Sequence, residues 1–130
     1  GHNNRSAQFR LPQNRYCIEN RAADMTMNVY LAFSMTLSAA VEGIKKKIHP
    51  GKPTDQDLYN MTDSEFKKLG IKRLPRNLLM AIEALKNDKL SDEVIGSVMK
   101  KSLLAYKNDE WERYHQAVTD WEVKEYLRLY

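Results

Sequence analysis

Four arginines and one glutamate fall within residues 3–21, in the run NNRSAQFRLPQNRYCIENR. A guanidinium binds phosphate or carboxylate oxygens bidentately and stays charged at any working pH. If the second half of this run is a strand, Arg15, Cys17, Glu19 and Arg21 share one face, with Tyr16 and Ile18 on the other. A carboxylate two residues from an arginine on the same face suits a site that handles anions and a metal ion together. The same residues also make an ion-paired, exposed strand face, since surface ion pairs are common and weak.

The elements that must position these side chains begin with a hairpin. Residues 7–11, Ala-Gln-Phe-Arg-Leu, alternate apolar and polar as a half-buried strand does. Pro12-Gln13-Asn14 supplies the break, because proline cannot donate to a ladder and asparagine tolerates turn geometry. Arg5 and Arg10 have opposite parity, so on one regular strand they point to opposite faces. Arg5 is therefore placed in the loop entering the strand, or a bulge intervenes. A two-stranded hairpin is marginal alone, so this one reads as a piece of a larger fold.

Helices should follow. From Met27 to about Ile48 the chain is apolar on nearly every side until Glu42, so that helix should lie under other elements. Asp24, ahead of Thr26, is its candidate N-cap, and His49-Pro50-Gly51 its stop. Residues 51–73 read as a loop region with Pro53 and Gly70. Within it Thr62-Asp63-Ser64-Glu65 has capping-box spacing and opens a short helix with Phe66 and Leu69 inward. Leu74-Pro75 opens the next helix, with Leu78, Leu79, Ile82 and Leu85 as its apolar stripe. Asn87-Asp88 ends it, and Ser91 caps a further helix with Val94, Ile95, Val98 and Met99 inward. That pattern runs on through Leu103, Tyr106 and Tyr114, and Gly96 is its weak point. Thr119-Asp120-Trp121-Glu122 is a second capping box, opening a terminal helix with Tyr126, Leu127 and Tyr130. Trp111 and Trp121 read as packing rather than as a ligand cage.

Composition narrows the function classes. The 130 residues carry 21 basic and 17 acidic side chains, a formal charge of +4 spread along the sequence. Nucleic-acid binders concentrate basic residues on one face, and the densest run here, Lys45-Lys46-Lys47, is explained by a solvated helix end. Hydrophobic content of 42% is that of a globular chain rather than a disordered one. One cysteine, Cys17, fits a reducing cytoplasm. The apolar stretch over residues 29–41 is too short to span a membrane. His2, His49 and His115 sit on unrelated elements, His49 being an exposed helix terminus, and no nucleophile–base pair or phosphate-cradling glycine loop is present.

Several motifs in order carry a resemblance. NNRSAQFRLP, then IENR, then MNVYLAFSMTLSAAVEGIKKKIHPG resembles the C-terminal part of the glutamine synthetase catalytic domain, with its N-R-S-A…R-x-P, E-x-R, N-P-Y-L and A-G-L-D-G-I segments. The tail is similar as well, through Lys107, Glu110, Trp111, Tyr114, Val118, Thr119, Trp121, Glu122, Tyr126 and Leu127. The opening Gly1-His2-Asn3-Asn4 is similar to that of one subgroup and is taken as native. The resemblance spans the chain and matches about the last third of a complete family member. It implies that Arg5 and Arg10 face ATP phosphates and the phosphorylated intermediate, that Glu19 is a ligand of a divalent metal, Mg²⁺ or Mn²⁺, and that Arg21 pairs with the substrate's carboxylate. Cys17 departs from the pattern, where many relatives put an arginine near the nucleotide, and Arg15 is a candidate for reaching the same region. Val29 replaces the proline of N-P-Y-L without removing a chemical group. Asp57-Leu58-Tyr59-Asn60 resembles the loop whose tyrosine some bacterial members adenylylate. For Tyr59 the plainer reading, an aromatic that anchors the loop, is preferred to modification.

The expectation is an α+β chain, residues 1–130 forming the C-terminal portion of a glutamine synthetase-like catalytic domain. Residues 1–22 are a β-hairpin with the site residues and residues 23–130 are helical. The resemblance implies an ATP-dependent ligase, joining ammonia or a small amine to the γ-carboxylate of glutamate through γ-glutamyl phosphate. It also implies a cytoplasmic homo-oligomer of stacked rings that uses neither nucleic acid nor membrane. This piece alone should be inactive, because the other metal carboxylates and most of the sheet lie upstream. Two other readings stand beside it: a non-catalytic family member whose helices serve assembly, and an unrelated basic helical module that binds nucleic acid.

Overall fold

The computed structural model of the chain describes residues 4–129. The opening Gly1-His2-Asn3 and the place of Tyr130 in the last helix lie outside the described residues. The order is a two-stranded antiparallel hairpin, β1 (Phe9–Arg10) and β2 (Glu19–Asn20), then five helices. These are α1 (Val29–Lys45), α2 (Asp63–Lys68), α3 (Leu78–Asn87), α4 (Lys89–Gln116) and α5 (Asp120–Tyr126). The α+β expectation of a hairpin followed by helices holds. The chain divides into two compact units, one ending at Leu74 and the other beginning at Pro75.

In the first unit the hairpin is shorter than alternation suggested. Only Phe9↔Asn20 and Arg10↔Glu19 pair. Residues 15–18 are not strand, and the Cys17 N–H bonds back to the Arg15 carbonyl at 3.1 Å in a tight turn. The buried Pro12 offers no donor to extend the ladder. Arg5 lies in the irregular segment ahead of β1 and is exposed.

Helix α1 begins at Val29, with the Asn28 side chain accepting the Leu31 N–H at 3.1 Å. Asp24, the expected cap, instead accepts from the Thr26 N–H at 2.7 Å in a local turn. The helix stops before His49-Pro50-Gly51. Lys47 turns left-handed (φ 51°), its N–H donates to Ile44 O and that of Ile48 to Gly43 O, a Schellman end. Among the described residues none of α1 is buried, and no other element of its unit packs on it. Phe33, Leu37 and Ile44 are exposed on this unit, since the apolar pattern of a helix records a face to be covered but not what covers it. Helix α2 has the expected capping box, Thr62 and Glu65 bonding each other's backbone N–H. It too ends in a Schellman turn, here with Gly70 at φ 65°. Phe66 is buried beneath the Arg73 guanidinium, 4.0 Å from the ring centre, whereas Leu69 is exposed.

In the second unit α3 packs against α4 around Ile82, the buried hydrophobic side chain of this pair. Helix α3 starts later than Leu74-Pro75 suggested, with Asn77 capping the Met80 N–H at 2.9 Å. Asp88 both closes α3 and caps α4, accepting the Ser91 N–H at 2.9 Å, so Ser91 is not the cap. Ser91 is fully buried and its hydroxyl donates to Asp88 O at 2.7 Å. The weak point at Gly96 is a kink, with φ 73° and ψ 156° inside α4. Across it the buried Lys100 ammonium reaches back to Asp88 O at 2.8 Å and Asp92 Oδ1 at 2.9 Å. Val98, Met99, Tyr106 and Tyr114, expected inward, are exposed. The Thr119–Glu122 capping box opens α5 as read from the sequence. Trp111 stacks on His115, ring centres 5.5 Å apart, and Trp121 meets Tyr126 edge-on, so neither indole lines a cage with the other.

Candidate functional site

The hairpin brings the first set of candidates together through its register. Because Arg10 and Glu19 are ladder partners, their side chains leave the same face. Arg10 Nη1 lies 3.0 Å from Glu19 Oε2. The loop then folds Arg15 back so that its Nη2 meets Glu19 Oε1 at 2.5 Å. Each carboxylate oxygen thus holds one guanidinium. The hydrogen bonds from Arg10 and then Arg15 keep the Glu19 carboxyl below the usual carboxylate range, and Arg15 is raised in return, chiefly by Glu19. Glu19 is an anion at neutral pH and cannot serve as a general acid.

Arg21 does not join that cluster. Its backbone N–H bonds to Gln8 O at 2.8 Å, extending the hairpin past Asn20. Its side chain turns to the other arginine, Nε donating to the main-chain carbonyl of Arg5 at 2.9 Å. The same carbonyl accepts the Tyr59 hydroxyl at 3.3 Å, although the two residues are 54 apart in sequence. The anchoring reading of Tyr59 therefore has a defined contact. Beside it, Asn4 is buried and its amide makes four hydrogen bonds. Nδ2 donates to Thr54 O at 2.9 Å and Gln56 O at 2.7 Å, while Oδ1 accepts from the Ser6 N–H at 2.8 Å and the Ser6 hydroxyl at 2.5 Å. Ser6 Oγ in turn accepts the Leu58 N–H at 2.9 Å.

Residues 4–21 therefore present two arginine groups on one framework, Arg10 and Arg15 about Glu19, and Arg21 against the backbone of Arg5. Guanidinium groups fit phosphate and carboxylate oxygens. A divalent cation is a different matter. Among the described residues no group of three or more His, Cys, Asp or Glu side chains gathers to hold one, and Glu19 has both oxygens engaged by arginines. A hard cation needs several oxygen ligands, so the residues described do not form a metal site by themselves. His49 Nδ1 accepts the Gly51 N–H at 3.0 Å, a helix-end contact. Cys17 is exposed. Among the described residues no helix is long and apolar enough to cross a membrane. Sequence reasoning assigned no role to Asn4 or Ser6. Both lie inside the NRSA motif, but their partners are some 50 residues away.

The geometry can be set beside known proteins. The family model described as "Glutamine synthetase, catalytic domain" matches residues 1–126. A glutamine synthetase of Methanocaldococcus jannaschii is 39% identical over 127 residues, covering 95% of this chain and 28% of that protein. A glutamate–methylamine ligase of Methyloversatilis universalis is 36% identical over 130 residues, covering 100% of this chain and 29% of that protein. A solved structure described as "Apo GmaS without ligand" superposes with a TM-score of 0.79 at 31% identity, over 97% of this chain and 28% of the other. The chain thus spans under a third of the length of the relatives it matches.

Proposed function

Since this chain belongs to the glutamine synthetase catalytic-domain family, we propose that it supplies the arginine-bearing part of an ATP-dependent ligase. That ligase joins ammonia or a small amine such as methylamine to the γ-carboxylate of glutamate. Membership leaves no place for an unrelated nucleic-acid module. The observation that carries the reading is the paired arrangement of cationic groups on one short hairpin: Arg10 and Arg15 about Glu19, with Arg21 fixed beside Arg5.

In this chemistry ATP phosphorylates the γ-carboxylate and the amine then displaces phosphate from the acyl carbon. The chain's own contribution is electrostatic and positional. Arg5, Arg10 and Arg15 neutralise phosphate oxygens, and Arg21 holds the amino-acid carboxylate through the guanidinium edge that Nε leaves over. Glu19 is one carboxylate of the family's metal site, which further carboxylates outside the described residues must complete. Residues 1–130 act as part of a longer cytoplasmic chain that assembles as stacked rings, and do not catalyse by themselves.

The test is amide formation by the full-length protein with glutamate and ATP, ammonia and methylamine being compared as acceptors. Loss of a charged hydrogen-bonding partner costs about 1.5–3 kcal/mol. Arg21→Ala should therefore raise the KM for glutamate by roughly 10- to 100-fold, and Glu19→Ala should abolish turnover. Absence of amide product with either amine would overturn the reading.

A further inference from the structure

Arg21 and Tyr59 come from separate segments and converge on one acceptor, the carbonyl of Arg5. That carbonyl lies between Asn4 and Ser6, and both flanking side chains tie the segment to residues 54–58. An asparagine side chain offers two donors and one oxygen with two lone pairs. All four capacities are used here, in a residue only 8% exposed. Fully satisfied buried polar groups of this kind fix one arrangement, because any alternative leaves a buried donor or acceptor unpaired. We infer that Asn4, with Tyr59, is a positioning residue. It locks the segment around Arg5 onto the 54–59 loop, so that the Arg5 carbonyl meets Arg21 Nε and orients its guanidinium for the glutamate carboxylate.

An exposed arginine otherwise loses considerable rotamer freedom on meeting a ligand. Pinning Nε to a fixed carbonyl settles that loss before glutamate arrives. The effect therefore falls on glutamate affinity rather than on the chemical step. The inference rests on the substrate role proposed for Arg21, and its test separates the two.

The experiment compares wild type, Asn4→Asp and Tyr59→Phe in the full-length protein. Aspartate keeps the acceptor for Ser6 but removes both donors to Thr54 and Gln56, and phenylalanine removes only the hydroxyl. Asn4→Asp should raise the KM for glutamate about tenfold and Tyr59→Phe about threefold, with kcat and the KM for ATP within about twofold of wild type. In nitrogen-15 spectra the Arg21 Hε should be protected from solvent exchange in wild type by its bond to the Arg5 carbonyl, and should lose protection in Asn4→Asp and partly in Tyr59→Phe. The inference is overturned if both variants keep wild-type glutamate KM and Hε protection, or if glutamate KM, ATP KM and kcat deteriorate together. Should Asn4→Asp not fold, Tyr59→Phe decides by the same two readouts. A wild-type protein that makes no amide refutes the ligase reading, and the Hε measurement still decides whether Asn4 and Tyr59 hold Arg21.

Discussion

Arg10 and Glu19 face each other across the hairpin as direct ladder partners, and their side chains close the pair at 3.0 Å. Arg15 closes the other oxygen of the same carboxylate.

That arrangement has a pH signature. The folded-state Glu19 carboxyl is depressed, first by Arg10 and then by Arg15. Its contribution to stability is therefore fully present above the unfolded glutamate value of about 4.3 and is lost as pH falls through the lower folded value. A carbon-13 titration should place Glu19 below an ordinary glutamate. The stability gap between wild type and Glu19→Gln should be largest near neutrality and shrink in acid. A gap independent of pH would contradict the pairing.

The two Schellman ends make opposite predictions. Lys47 occupies the left-handed position after α1 with a side chain that disfavours it, while Gly70 occupies the same position after α2. Lys47→Gly should stabilise the protein by up to about 1 kcal/mol, and Gly70→Ala should destabilise it by about 1 kcal/mol. Urea midpoints at constant m-value report both.

Gly96 should be the least replaceable of the glycines. Its φ of 73° and ψ of 156° belong to a region essentially reserved for glycine, although a Cβ there would meet no neighbour within 4 Å. Gly96→Ala should cost about 1–3 kcal/mol through the backbone alone. A neutral result would mean that α4 straightens.

Each capping box should be separately measurable. Thr62→Ala and Thr119→Ala should each cost about 1 kcal/mol, with local fraying of α2 or α5 in amide exchange. Loss of the hydroxyl should also let the partner carboxyl rise part of the way toward its ordinary value, further for Glu65, held down chiefly by the Thr62 hydroxyl, than for Glu122, held down chiefly by the Thr119 backbone N–H that alanine keeps.

The capping boxes were legible because three-residue spacing encodes them entirely. The starts of α1, α3 and α4 were misplaced because Asp24, Pro75 and Ser91 are acceptable starters beside the true caps Asn28, Asn77 and Asp88. Local preference does not choose between neighbours a few residues apart. The hairpin's existence followed from alternation and the Pro12 break, whereas the pairing of Arg10 with Glu19 comes from the ladder register and the fold-back of Arg15 from a turn rather than from strand parity. The Arg21–Arg5 carbonyl contact and the Asn4 clamp depend on where residues 54–59 return to the hairpin, which no periodicity records. The exposure of α1 was equally unreadable, since Phe33 and Leu37 look the same in sequence whether covered or not.

Asp88 has one further consequence. It is the whole connection between α3 and α4, and its carbonyl accepts both the Ser91 hydroxyl and the Lys100 ammonium. A corner with no spare residue has no slack to absorb a length change. One residue inserted or deleted beside Asp88 shifts the register of two helices and strands a buried lysine. Residues 51–61, which carry no helix or strand, are where this chain can vary in length, provided that the carbonyls of Thr54 and Gln56 still return to Asn4.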